Sequence, residues 1–203
     1  MSNKKSILIT GGAGFVGSNL IRLFIKKTNF KIISLDNYSS GSKKNHIISK
    51  RIIYITGDTL QIRSKLNKYK RNINSLFHFG EFSRIFQSFQ NFNECYDSNA
   101  IGSKEVFKFC LDNKIKIIYS ATSATLGKKG DDKNLSPYAF TKSNNLELLD
   151  SSSSMIGYCV VIDIIYLLPL CYVYIFHDVR NQYKNIQIPH LSFQHHRHYL
   201  LTL

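Results

Sequence analysis

Residues 7 to 20 read ILITGGAGFVGSNL, in which an apolar run meets a glycine-rich turn and the start of an amphipathic stretch. KKSILIT predicts a first strand, and the segment that follows the turn, up to Lys27, predicts a helix. Gly11, Gly14 and Gly17 lie between the two. Glycines there let the backbone turn sharply and approach a pyrophosphate, whose charge meets the free N–H groups at the helix N-terminus. The stretch therefore predicts a dinucleotide site.

A carboxylate, Asp36, ends the second predicted strand, KIISLDN, 19 residues beyond Gly17. At that position it can accept hydrogen bonds from a ribose hydroxyl and would repel a 2′-phosphate, so we expect NAD rather than NADP. Asp58 follows the third predicted strand, RIIYITGD. Its carboxylate could reach the adenine edge or cap a helix, and the sequence leaves both interpretations open.

Strands and helices continue to alternate as far as residue 150. NSLFHFG and KIKIIYSAT are typical of a fourth and a fifth strand, and residues 94–113 have helical spacing. One face of that helix is predicted to carry Cys95, Asn99, Gly102, Val106 and Phe109. This order of elements predicts an α/β protein with a doubly wound parallel sheet of the Rossmann type.

The stretch SPYAFTK, residues 136 to 142, predicts the start of the next helix. Ser136 is a good N-cap and Pro137 suits the first helical position. Tyr138 and Lys142 then lie one turn apart on the same helix face. Thr122 follows the fifth strand, at the carboxyl edge of the sheet where ligands bind in such folds. We expect these three side chains to converge beside a nicotinamide ring.

A tyrosine that acts as a base at neutral pH needs help from positive charge. A free tyrosine has a pKa of about 10, and the required pKa is about 3 units lower. One nearby cation lowers a pKa by about 1 to 3 units, so a single lysine is marginal. We therefore expect the base to be competent mainly when the positive ring of oxidised NAD is bound.

These motifs together resemble the extended short-chain dehydrogenases/reductases, in the NAD-dependent sugar epimerase/dehydratase group. The resemblance covers about residues 5 to 150 and rests on TGGAGFVGS, LDNYSSGS, GD at 57–58, LFHFGE at 76–81, NAIGS from residue 99, SATSATLG at 120–127, and SPYAFTK. It implies NAD as cofactor and a nucleotide sugar as substrate. The cofactor contacts that it implies are Gly11, Gly14, Phe15, Val16, Gly17, Asp36, Asn37, Asp58, Asn99 and Lys142.

The resemblance also implies a mechanism, that of a UDP-glucose 4-epimerase-like enzyme. The residue matching Thr122 hydrogen-bonds the sugar hydroxyl, and the one matching Tyr138 removes its proton. The one matching Lys142 holds the cofactor ribose and makes the tyrosine more acidic, and Asn99 matches a position that supports this lysine through water. Sugar C4 gives hydride to NAD, and the keto-sugar turns over and takes it back on its other face.

Two departures from the family pattern matter. Dehydratases of the group carry Asp-Glu directly after the threonine, because eliminating water needs its own acid and base. Here Ser123 and Ala124 follow, which favours epimerase over 4,6-dehydratase chemistry. At positions 80 and 81 the chain has Gly-Glu where many relatives have Ala-Ala, and the sequence assigns no role to Glu81.

The chain changes character after Asp150. Residues 151–203 carry a net charge of +1 against +13 for residues 1–150, and they contain 22 mostly apolar residues followed by a histidine-containing segment. Relatives continue instead with further strands and a substrate domain. We therefore predict an NAD-binding domain over 1–150 and an atypical tail over 151–203, out of frame or degenerate, with the substrate domain largely missing. The alternative to an active epimerase is then a non-catalytic NAD-binding fragment.

Composition limits the partners of the protein. The net charge of +14 comes from scattered basic pairs, which are typical of a solvated surface, so we expect no nucleic-acid partner. Residues 155–176 are long enough to span a membrane and anchor the protein there, but Asp163, Pro169 and the β-branched content favour a buried strand. We expect no metal site, because no carboxylate or cysteine accompanies the histidines at useful spacing. They are His177, His190, His195, His196 and His198.

Four cysteines without C-x-x-C spacing predict reduced, buried thiols and a cytoplasmic protein. They are Cys95, Cys110, Cys159 and Cys171. The resemblance further implies a homodimer formed through helices near residues 92–111 and 138–150.

Overall fold

The computed structural model describes residues 6–122, 135–151 and 159–163, which all belong to the first of the two units of the chain, Met1–Leu167. In these ranges six parallel strands form one sheet in the order β3-β2-β1-β4-β5-β6. The strands are β1 Ser6–Thr10, β2 Lys31–Asp36, β3 Ile52–Thr56, β4 Ile73–His78, β5 Lys116–Ala121 and β6 Cys159–Asp163. The predicted doubly wound parallel sheet is confirmed.

Helices connect the strands. They are α1 Phe15–Lys27, α2 Ile62–Leu66, α3 Ile85–Gln90, α4 Phe92–Tyr96, α5 Ser103–Asn113 and α6 Pro137–Ser151. The sequence predicted neither α2 nor α3. Helices of five and six residues span less than two turns, so they are too short for a 3.6-residue periodicity to show.

The helix predicted over residues 94–113 is interrupted. A π-helical turn, Asp97–Gly102, separates α4 from α5. The predicted buried face is nevertheless confirmed, because Cys95, Asn99, Gly102, Val106 and Phe109 are all buried. Sequence periodicity did not reveal the extra residue that the π turn inserts into this helix.

The core lies on both faces of the sheet. On one face, apolar residues of the strands pack against α2, α5 and α6. Its members include Leu8, Leu35, Ile62, Leu66, Leu76, Val106, Phe109, Tyr119 and Leu149. On the other face, α1 buries Ile21 and Phe24, and the ring centroid of Phe24 lies 5.3 Å from that of Phe77 in β4. Because helices cover both faces, a strand such as SILIT is buried along its whole length.

The strand order also locates the binding crevice. The chain runs outward from β1 to β2 and β3 on one side, and from β4 to β5 and β6 on the other. In open α/β sheets, ligands bind where the strand order reverses, outside the carboxyl ends of the strands. Here that place is the crevice beyond the ends of β1 and β4.

The described residues extend past the predicted domain boundary at residue 150. Helix α6 ends at Ser151, and Cys159–Asp163 pairs in parallel with β5 as strand β6. The strand predicted within residues 155–176 is confirmed for these five residues. The remainder of that stretch and the five tail histidines lie outside the described residues, and the boundary itself stays a prediction.

Two further expectations concern the described residues. Cys95 and Cys110 are buried, as predicted, whereas the side chains of Cys159 and Cys171 lie outside the described part of the chain. None of the helices in the described ranges is long and apolar enough to cross a bilayer.

The close packing of the glycine turn gives a stability prediction. A Cβ atom at Gly17 would lie 2.3 Å from the carbonyl oxygen of Gly11 and 2.7 Å from Cα of Gly12, so Gly17→Ala must displace backbone. We expect it to lower the free energy of unfolding by about 1 to 3 kcal/mol or more, the range for overpacking. Urea denaturation followed by circular dichroism measures this change.

The matched control is Gly14→Ala. Its Cβ would meet only the Gly11 carbonyl oxygen, at 3.3 Å, so only the poorer capping of α1 by alanine remains, about 1 kcal/mol at most. Equal stability losses in the two variants would contradict the packing described for the turn.

Candidate functional site

The glycine turn forms a cradle at the end of β1. Gly11 has a φ of +71°, which favours glycine, and a Cβ there would meet the backbone of Phe79 at 2.7 Å. Over Gly14 the described residues leave the space open apart from one atom, and α1 begins at the next residue. The first N–H groups of α1 therefore face this space without helical partners. The turn fits a bound pyrophosphate, because it is tightly packed on the protein side and open at the helix N-terminus.

Asp36 ties the turn to the loop after β2. Its Oδ2 accepts a hydrogen bond from the backbone N–H of Ala13, and its Oδ1 accepts one from that of Tyr38, each at 2.8 Å. The side chain is buried. Each carboxylate oxygen has a second lone pair, which suits the predicted bond to a ribose hydroxyl.

Asn37 and Asp58 contact each other across the ends of β2 and β3. Asn37 Nδ2 donates to Asp58 Oδ2 at 2.8 Å, and Asp58 Oδ1 accepts from the backbone N–H of Leu60 at 2.9 Å. The structure thus places Asp58 as the N-cap of a short 3₁₀ turn, one of its two open interpretations. Its contact with adenine stays a prediction. Phe15, which is exposed, and Val16, which is partly buried, begin α1 on the cradle.

Helix α6 begins as predicted and carries the tyrosine–lysine pair. Ser136 Oγ accepts from the backbone N–H of Ala139 at 3.0 Å, which caps the helix. Tyr138 and Lys142 are both buried. Lys142 Nζ donates to the carbonyl oxygen of Ser120 at 2.5 Å, and Ser120 lies in β5 two residues before the partly buried Thr122. The structure therefore brings the pair to the carboxyl end of β5, where Thr122 lies.

Glu81 is the residue of this site that the sequence missed. Its Oε2 forms a salt bridge with Lys142 Nζ, and both side chains are only 3% exposed. Its Oε1 accepts hydrogen bonds from Ser103 Oγ at 2.7 Å, Tyr119 OH at 3.0 Å and Asn145 Nδ2 at 3.1 Å. Burial alone would raise the pKa of Glu81, but Lys142, His78 and the hydrogen bonds from Lys142 and Ser103 together lower it. The only signal was a carboxylate in LFHFGE, where many relatives have alanine.

A buried histidine connects Glu81 to β1. His78 Nδ1 lies 2.6 Å from Thr10 Oγ1, and His78 Nε2 lies 2.9 Å from Ser103 Oγ. The single hydroxyl proton of Ser103 goes to Glu81, so His78 Nε2 must donate to Ser103, and Nδ1 of the neutral ring accepts from Thr10. Burial lowers the pKa of His78 to about 4; Glu81 opposes this effect and Lys142 adds to it. His78 is therefore neutral at pH 7.

Asn99 holds the segment that carries Glu81. From the π turn, its Oδ1 accepts from the backbone N–H of Phe82 at 2.7 Å and its Nδ2 donates to the Phe82 carbonyl oxygen at 2.9 Å. Its Nδ2 also donates to Thr141 Oγ1 in α6 at 3.3 Å. These direct contacts of Asn99 fix the backbone next to Glu81. The support of Lys142 by Asn99 through water stays a prediction.

A parallel sheet with a glycine cradle at β1 and a buried tyrosine–lysine pair beside β5 defines a dinucleotide-binding α/β protein. The sequence model of the NAD dependent epimerase/dehydratase family matches residues 7–166. The chain belongs to that family. The predicted family is confirmed, as is NAD as the cofactor of the family, and the match extends past residue 150.

Solved structures agree with this assignment. The chain is 27% identical to the UDP-Glc/GlcNAc 4-epimerase of Campylobacter jejuni, with a TM-score of 0.69, over 77% of this chain and 52% of that one. It is 25% identical to a UDP-N-acetylglucosamine 4-epimerase of Methanobrevibacter ruminantium, with a TM-score of 0.69, over 79% and 55%. A dTDP-glucose 4,6-dehydratase of Streptomyces venezuelae shares the fold at 20% identity and a TM-score of 0.70, over 77% and 54%. The chain spans about half the length of these proteins.

The buried neutral histidine gives a pH prediction. The pKa of His78 is lowered from 6.5 to about 4, so below pH 6.5 the unfolded chain binds a proton that the folded one does not. Stability is therefore present above pH 6.5 and is lost as the pH falls toward 4. Each pKa unit is worth about 1.4 kcal/mol, and we expect a loss of about 2 kcal/mol between pH 6.5 and 5. Urea denaturation at several pH values measures it.

The variant His78→Asn tests the source of this loss. It removes the titrating ring and keeps a donor and an acceptor at the position, so the stability should change less with pH over the same interval, whatever its value at pH 7. The same pH slope in the variant and the natural chain would assign the loss to other groups.

Proposed function

We propose that the chain binds NAD beyond the ends of β1 and β4 and acts as a nucleotide-sugar 4-epimerase by transient oxidation at sugar C4. The observation that carries this proposal is the position of Tyr138 and Lys142. They are buried one turn apart at the carboxyl end of β5, on the same sheet whose β1 ends in the glycine cradle. Family membership supports it independently.

The residues of the cradle would hold the cofactor. Backbone N–H groups at the start of α1 would bind the pyrophosphate, and the space over Gly14 would let it approach. Asp36 would accept hydrogen bonds from the hydroxyls of the adenosine ribose. The adenine side would be bordered by Asn37 and Asp58, which are already bonded to each other. On the nicotinamide side, Lys142 would bond the second ribose.

The catalytic steps are assigned to three side chains. NAD, when bound, would supply the acceptor for a hydride from the sugar and the donor for its return. Thr122 hydrogen-bonds the reacting hydroxyl, and Tyr138 takes its proton and gives a proton back after the keto-sugar has turned over. Lys142 holds the ribose, and because its charge is paired with Glu81, the positive charge that favours the ionised phenol comes mainly from the oxidised ring. Proton removal and hydride transfer are thus arranged around the end of β5.

Epimerase chemistry is favoured over dehydratase chemistry by Ser123 and Ala124, which stand where dehydratases have their acid and base. The epimerase structures named above bear UDP-sugar names, so UDP-glucose is the first substrate to test. The second candidate function is NAD binding without turnover. It needs only the glycine cradle and Asp36, which the structure brings together.

A two-part assay tests the proposal. Native mass spectrometry of the purified protein should show retained NAD, and Gly14→Val, which puts a branched side chain into the cradle, should lose it. Interconversion of UDP-glucose and UDP-galactose should fall about 10²- to 10⁴-fold in Tyr138→Phe, the usual worth of a general base, with NAD still retained.

The outcomes separate the two candidate functions. Retained NAD without any interconversion in the natural chain would favour the non-catalytic function. Absence of NAD binding in the natural chain and in Gly14→Val alike would contradict both.

We also propose that the protein is a cytoplasmic homodimer. The buried free thiol of Cys95 fits a reducing compartment. Exposed apolar side chains lie on both helices predicted to form the interface: Phe92, Tyr96, Phe140 and Leu148.

Sedimentation should show that the natural chain is a dimer and that Phe140→Glu is a monomer. Phe140 is 43% exposed, and a charge there disfavours an apolar interface. Leu60→Glu is the control, at 44% exposure elsewhere. A dimer that survives Phe140→Glu, or a natural chain that is monomeric, would contradict this assignment.

A further inference from the structure

On the predicted nicotinamide side of the site, the buried pair Glu81–Lys142 contributes a net charge of zero among the residues that the structure describes. The carboxylate and the ammonium are bonded to each other, and each side chain is 3% exposed. Two titratable neighbours, His78 and Tyr119, are neutral, because burial lowers the pKa of His78 and raises that of Tyr119. In a site with alanine at position 81, the charge of the lysine would have no such partner.

Glu81 is connected to both halves of the site. The backbone just before it packs on the glycine turn, since Gly80 N donates to Thr10 Oγ1 at 3.1 Å and a Cβ at Gly80 would lie 3.0 Å from Gly11 N. Its side chain bonds Lys142 in α6. Glu81 therefore lies just beyond the end of β4, at the edge of the sheet where the crevice is, and its carboxylate is buried there.

Glu81 also limits what Lys142 can do. The ammonium has three N–H donors, of which one is given to Glu81 and one to the carbonyl oxygen of Ser120. At most one donor is then left for a ribose hydroxyl. The contribution of Lys142 to cofactor binding thus includes its charge as well as its hydrogen bonds, and that charge is what Glu81 compensates.

We propose that Glu81 is a specificity-determining residue that makes the site prefer the oxidised form of NAD over the reduced form. This inference rests on the proposed function. The nicotinamide ring is a cation when oxidised and neutral when reduced, so an uncompensated lysine beside it disfavours only the oxidised form. The paired carboxylate removes that penalty, and burial keeps solvent from screening the effect. An epimerase that prefers oxidised NAD holds, before each reaction, the hydride acceptor that its first step requires.

A purely structural role makes a different prediction. If the salt bridge only fixes α6 against β5, removing it lowers stability and weakens both forms of the cofactor equally. The two forms have the same riboses and phosphates, so contacts to those groups cancel in the ratio of their dissociation constants. The ratio Kd(NADH)/Kd(NAD⁺) therefore reports the charge beside the ring.

The experiment measures this ratio by isothermal titration calorimetry with NAD⁺ and NADH on the full chain and four variants. Glu81→Gln leaves the lysine unpaired and should lower the ratio about tenfold. Lys142→Met leaves the carboxylate and should raise it by a similar factor. The double variant restores a net charge of zero, so its ratio should lie within about threefold of the natural one. The tenfold change expected for each single variant is the lower end of the effect of one nearby charge, which shifts such an equilibrium by about one to three factors of ten.

The control is Glu105→Gln, which removes a carboxylate on α5 that pairs with Arg63 at 3.5 Å and is 25% exposed. The ratio Kd(NADH)/Kd(NAD⁺) of Glu105→Gln should equal that of the natural chain. The inference requires the highest ratio in Lys142→Met, intermediate ratios in the natural chain and the double variant, and the lowest ratio in Glu81→Gln. Any other order overturns it. If Glu81→Gln does not fold because its lysine is left buried and unpaired, the comparison of Lys142→Met with the double variant decides in the same way. A natural chain that binds neither form overturns the proposed function, and the inference with it.

Discussion

The buried charge of Lys142 is the constraint around which the site is built. An isolated ammonium in a protein interior is strongly unfavourable, so it must be paired and hydrogen-bonded. Here the three partners come from two neighbouring parts of the sheet: Glu81 after β4, and in β5 both the Ser120 carbonyl and the Tyr119 ring, whose centroid lies 4.6 Å from Nζ. Satisfying one charge thus fixes α6 against the carboxyl ends of β4 and β5. Tyr138, one turn earlier on the same helix, is positioned as a consequence.

The partners of Glu81 extend this constraint to the glycine turn. Thr10 donates to His78, His78 to Ser103 and Ser103 to Glu81, so all three hydrogen bonds have the same direction. Thr10 Oγ1 also accepts the N–H groups of Phe79 and Gly80, which pack on the turn. A fully satisfied buried network of this kind rigidifies its surroundings. The end of β1, where a pyrophosphate would lie, and the end of β5, where the sugar would react, are therefore joined by one set of buried polar contacts.

The sequence predicted the parts of this structure that depend on residues close together in the chain. The glycine turn, the capped start of α6 at Ser136 and the apolar strands each depend on neighbours in the chain, so spacing and residue type were sufficient. Glu81 could not be placed in this way, because its partners lie 22 to 64 residues away and meet it only in the folded chain. The π turn at Asn99 was equally invisible, since the buried face that it interrupts keeps its apolar spacing. Asp58 shows the intermediate case, where the sequence supplied both interpretations and only the geometry of the 3₁₀ turn selected the cap.

The same charge balance bears on how proton removal and oxidation would be coupled under the proposed function. In a site with an unpaired lysine, a positive charge favours the ionised tyrosine at all times. With Glu81 beside Lys142 that standing charge is compensated, and the additional positive charge has to come from the oxidised ring itself. The phenol would then be a good base only in the state that can accept a hydride, and a weaker one once the ring is reduced. The reduced state is the one in which Tyr138 must return its proton, so the pair would link the direction of proton transfer to the oxidation state of the cofactor.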